Sequence, residues 1–135
     1  MKIYLLDTDI CSYIIKENPP SVAKKLVAHQ DDDICISAIT YAELLYGARR
    51  RKSRQITHKI NLFVELVRVI ECGRAVVEQY ADIRQDLETR GKPLADFDIL
   101  IAATARSLNA VLVTNNQKHF ARISGLKLEN WQIDA

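Results

Sequence analysis

Short apolar runs alternate along this chain with longer stretches whose apolar residues recur every three or four positions. The short runs read as buried strands and the longer ones as helices with one apolar face. Residues 2–6, KIYLL, form a first strand, and a helix over 8–16 follows with Thr8 as its cap. Asn18-Pro19-Pro20 stops that helix, and proline suits the first turn of a second one over 20–29. The acidic break Asp31-Asp32-Asp33 leads into a strand at 34–36, after which Ser37 caps a helix reaching Arg50. Within 53–65, Ile56, Ile60, Phe63 and Val64 share one helical face, and VRVIEC at 67–72 is a third strand. A helix over 73–90 sets Val76, Val77, Tyr80, Ile83 and Leu87 on one side, and Gly91 followed by Pro93 ends it. A helix over 96–108 stops at Asn109, AVLVT at 110–114 is a fourth strand, and 127–129 is a short last one.

Strands that alternate with helices need crossover connections, and crossovers build parallel sheets. The expected fold is a three-layer α/β/α sandwich around a parallel sheet of four to five strands, in one domain over 1–135. Ligands of such sheets bind beyond the carboxyl ends of the strands. Asp7 closes the first strand, and Asn115 and Asn116 lie just past the fourth.

Carboxylates stand where packing alone would not place them. Glu43 shares a helical face with Ile39, Ala42 and Tyr46, so either it is embedded in an apolar stripe, where a carboxylate needs a cation or hydrogen bonds, or it sits at the edge of the stripe and reaches water. Asp96 and Asp98 open a helix whose next residues, Ile99 to Ala103, are apolar nearly all round. Asp96 is expected to cap and Asp98 to face the site, although both could serve only the helix end. Asp7, Glu43, Asp98 and Asn116 thus deliver oxygen ligands from four segments. At an effective dielectric of ~20, two carboxylates ~4 Å apart repel by about 4 kcal/mol, which protons or a cation must relieve. An all-oxygen set selects Mg²⁺, or Mn²⁺ in its place, over zinc.

Composition narrows the setting. The net charge of +2 neither demands nor excludes nucleic acid, but Arg49, Arg50, Arg51, Lys52 and Arg54 concentrate positive charge directly after the Glu43 helix. That run can neutralise RNA phosphates, with Arg90 and Lys92 across a groove, or it is a solvated helix end. Cys11, Cys35 and Cys72 lack metal or disulfide spacing and read as small buried hydrophobes, and no two of His29, His58 and His119 sit at ligand spacing. No apolar run approaches the ~20 residues of a membrane span. Asp7 interrupts the apolar N-terminal run, so a signal peptide is not expected and the cytoplasm is the expected compartment.

Four motifs occur in order: LLDTD, ISAITYAELLYG, ADFDILIAATA and LVTNNQKHF. Together they resemble a PIN-domain ribonuclease of the VapC type, the toxin half of a bacterial toxin–antitoxin pair. The resemblance runs over essentially the whole chain. It implies Mg²⁺-dependent endonuclease action on RNA, with tRNA among the targets. It places the catalytic acids on Asp7, Glu43 and Asp98. The fourth ligand position, often Asp in this family, is Asn116, which leaves one Mg²⁺ as the expectation. Thr8, Asp9, Asp96 and Thr114 are supporting positions. The resemblance also implies homodimers and a VapB-like antitoxin lying across a hydrophobic groove of the first helices, where Ile10, Tyr13, Ile14, Ile15, Val22, Leu26 and Val27 cluster.

Two other readings remain open. A haloacid-dehalogenase-type phosphatase also begins with a strand and an Asp-x-Asp pair, with Asp7 as covalent nucleophile. Its later acidic motif is missing, because the fourth strand ends in Thr-Asn-Asn. A catalytically inactive PIN-like module that only binds RNA or a partner is the non-enzymatic alternative, and the intact acid trio argues against it.

Overall fold

In β1 (Ile3–Leu6) the side chains alternate between two cores: Tyr4 and Leu6 enter one and Leu5 the other. A strand buried on both faces must lie inside a sheet. Accordingly, in this computed structural model, which describes residues 2–132, β1 is the middle of five parallel strands in the order β3-β2-β1-β4-β5. The others are β2 (Asp33–Ser37), β3 (Arg68–Ile70), β4 (Val111–Val113) and β5 (Lys127–Glu129).

On one face pack α1 (Thr8–Lys16), α2 (Pro20–Ala28), α3 (Ala38–Arg50) and α4 (Arg54–Leu66). On the other lie α5 (Arg74–Thr89) and α6 (Asp96–Ser107), with Phe120 of a one-turn helix, α7 (Gln117–Phe120), entering the same core. The expected α/β/α sandwich is therefore present, with seven helices among the described residues. None of them is long and apolar enough to cross a membrane.

Local chemistry sets the boundaries. Ser37 and Ser53 cap α3 and α4 by accepting from the N–H groups of Thr40 and Ile56. Gly91 (φ +67°) ends α5, with Lys92 N–H bonded to the Leu87 carbonyl and Gly91 N–H to that of Glu88. Asn109 (φ +54°) ends α6 in the same way.

Several expectations require correction. Asp7, not Thr8, caps α1, because its carboxylate accepts from the Ile10 N–H at 3.0 Å. Asp96 does not cap α6; the cap is Ala95, and Asp96 is the first helical residue. Val77 leaves the α5 stripe and is 53% exposed. Cys72 is exposed, while Cys11 and Cys35 are buried. Most apolar residues of the first two helices are ordinary core: Ile10, Ile15 and Val22 are buried, and Tyr13, Ile14 and Leu26 pack against them.

The chain builds outward from β1 through β2 to β3, then returns to β1's other side for β4 and β5. A crevice opens where that direction reverses, at the carboxyl ends of β1 and β4.

Candidate active site

Asp7 is the first residue beyond β1. Its N–H bonds to the Val113 carbonyl at 3.0 Å, which ties the end of β1 to the end of β4. Its carboxylate is only 6% exposed. Burial pushes the Asp7 carboxyl up to about 6, against hydrogen bonds from the Thr114 hydroxyl and the Ile10 N–H. The nearby Asp9 and Asp98 carboxylates raise it further.

Glu43 enters from α3. The buried face of that helix carries Thr40, Leu44 and Ala48, so Glu43 lies off the buried stripe, the second of the two placements open to it from sequence. Tyr46 on its face is exposed, and the face opens toward the crevice. Thr8 donates to Glu43 Oε1 at 2.6 Å and stands 3.2 Å from the Thr40 hydroxyl. Asp98 enters from the first turn of α6, where Ile99 and Ile101 to Ala105 are buried and fix the helix against the sheet.

Asp7, Thr8, Asp9, Glu43, Asp98 and Asn116 line one cleft of about 140 Å³, floored by Ile101 and Phe120. The fold thus brings together all four expected ligands and two of the supporting residues. Thr114 lies just behind them, fully buried, where it accepts from the Asn116 N–H at 3.0 Å. Asp96 is the exception: it is turned away, accepting from Tyr80 at 2.8 Å and pairing with Arg84 at 3.3 Å.

Each acid has an anchor of its own. Asp7 is held by Ile10, Glu43 by Thr8, and Asp98 by His119, whose Nε2 lies 3.1 Å from Asp98 Oδ2. Nothing in the sequence points to His119, because its partner Asp98 lies 21 residues away on another helix. Among the described residues no three Asp, Glu, His or Cys side chains close into a ready-made metal cage. Mg²⁺ keeps several of its waters and takes only one or two carboxylates directly, so it needs a cleft rimmed with oxygens rather than a tight cage. Burial is the main cause of the raised Asp7 carboxyl and repulsion by Asp9 and Asp98 a smaller one, and a cation held beside it would offset both.

The basic run divides between two surfaces. Arg50 and Arg51 line a groove of about 300 Å³ between α1, α3 and α4 that begins at Thr8 and Glu43. Arg49, Lys52 and Arg54 line a separate hollow of about 490 Å³ with Thr57, His58 and Asn61. Arg90 does not face them: its guanidinium is taken by Asp86 and the Arg122 carbonyl.

Residues 4–126 match the family model described as PIN domain. The chain is 40% identical over 131 residues to a protein named Ribonuclease VapC2 from Rickettsia felis, covering 96% of this chain and 98% of that one. It is 36% identical over 129 residues to the tRNA(fMet)-specific endonuclease VapC of Shigella flexneri, covering 95% and 97%. Among solved structures, VapBC2 from Rickettsia felis bound to a promoter DNA fragment contains a chain that superposes with TM-score 0.90 at 39% identity, covering 96% of this chain and 98% of that one. DNA-bound VapBC from Salmonella typhimurium gives 0.85 at 32% identity, covering 97% and 99%.

Proposed function

The chain belongs to the PIN-domain family, in its VapC branch, and on that premise we propose that it is a Mg²⁺-dependent endoribonuclease and the toxin of a toxin–antitoxin pair. The observation that carries the reading is the convergence of Asp7, Glu43, Asp98 and Asn116 on one cleft at the carboxyl ends of β1 and β4. Their oxygens would hold the cation, directly or through water. A bound Mg²⁺ supplies an acidified water and neutralises charge on phosphoryl oxygens. The chain's own part is to orient and to take protons. Asp7, Glu43 and Asp98 fix the attacking water, and one carboxylate of the trio accepts its proton. In-line attack on phosphorus would break its bond to the 3′ oxygen, which takes a proton from water, and so leave 5′-phosphate and 3′-hydroxyl ends. The basic residues Arg49 to Lys52 and Arg54 draw in the RNA backbone.

The Shigella flexneri relative's name supports tRNA as a target class. The VapBC complexes support a VapB-like antitoxin as partner, and a homodimer is the proposed assembly. The antitoxin's place is the groove between α1, α3 and α4 rather than α1 and α2 alone, because that groove runs from Ile15, Ile56 and Ile60 straight to Glu43. An apolar segment seated there ends within reach of the acids. The cytoplasm, where RNA and antitoxin meet, is the proposed compartment.

The test is cleavage of purified small RNAs by wild-type protein and by Asp7→Asn, with Mg²⁺ and with EDTA. Discrete fragments that need both the metal and Asp7 are expected. Intact RNA in every lane, from folded protein free of inhibitor, would favour a binding module instead.

A further inference from the structure

His119 is not among the acids that define the cleft, yet it makes the one side-chain hydrogen bond that Asp98 has among the described residues. An ionised carboxylate only accepts, so the imidazole Nε2 carries the proton and donates. We propose that His119 is a positioning residue: its Nε2–H holds Asp98 Oδ2 and leaves Oδ1 for the cation. The assignment rests on reading the cleft as a Mg²⁺ site.

Three features of the fold support it. First, α7 is anchored from both ends of its single turn. The His119 and Phe120 N–H groups both bond to the Asn116 carbonyl at 3.2 Å, while Phe120 is 3% exposed and floors the cleft. Second, the imidazole meets the Phe120 ring edge-on, with centroids 5.6 Å apart and planes at 89°, so the ring that holds Asp98 is itself held. Third, the bond ties together two elements that line the cleft. Asp98 stands on α6 and His119 on the segment that carries Asn116, so it fixes one ligand-bearing element relative to another. Without it, a carboxylate that is 39% exposed on the first turn of a helix has rotamers that turn it to water. A partner that orients a ligating carboxylate typically changes metal affinity by about 10- to 100-fold.

A simple surface pair would behave differently: its removal would leave cation binding untouched. The experiment is therefore Mn²⁺ binding, by calorimetry and by the paramagnetic signal of free ion. The proteins are inhibitor-free wild type, His119→Ala, His119→Asn, His119→Gln and Asp98→Asn, with folding checked by thermal melts. The glutamine amide reaches the position of Nε2, and the shorter asparagine amide does not. Expected is a loss of about 10- to 100-fold in affinity for the alanine and asparagine variants, largely restored in the glutamine variant. If His119→Ala fails to fold, the asparagine–glutamine difference carries the test. Wild-type affinity in His119→Ala or His119→Asn, beside loss in Asp98→Asn, overturns the role of His119 and leaves the metal site standing. Equal weakening in the asparagine and glutamine variants also overturns it. Wild-type protein that takes up no Mn²⁺ overturns the metal reading, and this assignment with it.

Discussion

Acidic side chains stand at both ends of the central sheet, and the two ends treat them in opposite ways. At the amino end, Asp32 accepts from His29 at 3.1 Å and from the Lys2 N–H at 3.2 Å, and Asp33 is gripped by Arg68 at 2.6 Å. The imidazole of His29 and the guanidinium of Arg68 hold these carboxyls below the usual range. At the carboxyl end, burial pushes the Asp7 carboxyl up to about 6, and the Asp9 and Asp98 carboxylates raise it further. One end has settled its charges locally. The other keeps a buried carboxylate close to two more, and perturbed carboxylates gathered in a cleft mark a candidate functional site rather than a structural ion pair.

The largest expected effect comes from removing a charge at the unsettled end. Asp98→Asn should lower RNA cleavage by about 10³-fold, the several kcal/mol of transition-state charge stabilisation a metal site provides, with the melting temperature little changed. A variant that melts far below wild type would make Asp98 structural, like the acids at the amino end.

Next in size is the stability of Asp7→Asn, because the same charge that serves the site should burden the fold. In EDTA, folded wild type holds a proton on Asp7 up to about pH 6, whereas the unfolded chain loses it near 3.8. Between these values the folded state binds more protons, so the contribution of this group to stability falls as pH rises, and above pH 6 the full cost is present. That cost is on the order of 3 kcal/mol. Asparagine keeps the helix cap and loses the charge. The variant should therefore melt roughly 10 °C above wild type at pH 7.5, and level with it at pH 3.5. A lower melt at pH 7.5 would show the carboxylate to be stabilising and erase the contrast between the two ends.

The basic corner shows the same unsettled condition with opposite sign. Five of the six residues from Arg49 to Arg54 are cations, and none of these pairs with an acid among the described residues. Arg49→Ala with Arg54→Ala should reduce the slope of log affinity for RNA against log salt by about 1.5 in the Asp98→Asn background, which prevents cleavage. An unchanged slope would mean that the RNA backbone passes instead along the groove of Arg50 and Arg51.

How far the sequence reveals this contrast depends on how local each signal is. The parallel sheet is legible because its strands are short and apolar and its helices have clear stops, such as Gly91 and Asn109. The acids are legible because three carboxylates adjoin apolar runs. What sequence does not resolve is a choice between neighbours. Asp7 and Thr8 are both good caps, and only the turn of the backbone after β1 gives the Ile10 N–H to Asp7. Asp96 and Asp98 differ by about 200° around α6, so one meets Tyr80 and Arg84 and the other the cleft. His119 has no local signal, since its partner is supplied by a crossover.

The smallest effect is expected where the geometry is best. Arg68 meets Asp33 at 2.6 Å and 3.3 Å through two nitrogens, a better-formed contact than any that holds the acids of the cleft together. Yet the Arg68 side chain is 51% exposed and water competes for both partners. Exposed pairs of this kind contribute less than about 1 kcal/mol. Arg68→Ala should therefore shift the melting temperature by only a few degrees and leave RNA cleavage at the wild-type rate. A loss of several kcal/mol would mean that the amino end is held by its charges rather than by the apolar register of β2 on β3, where Ile36 lies opposite Val69. A loss of cleavage would be the stronger surprise, because it would couple the settled end of the sheet to the unsettled one through β2 and the helix it feeds, α3, which carries Glu43.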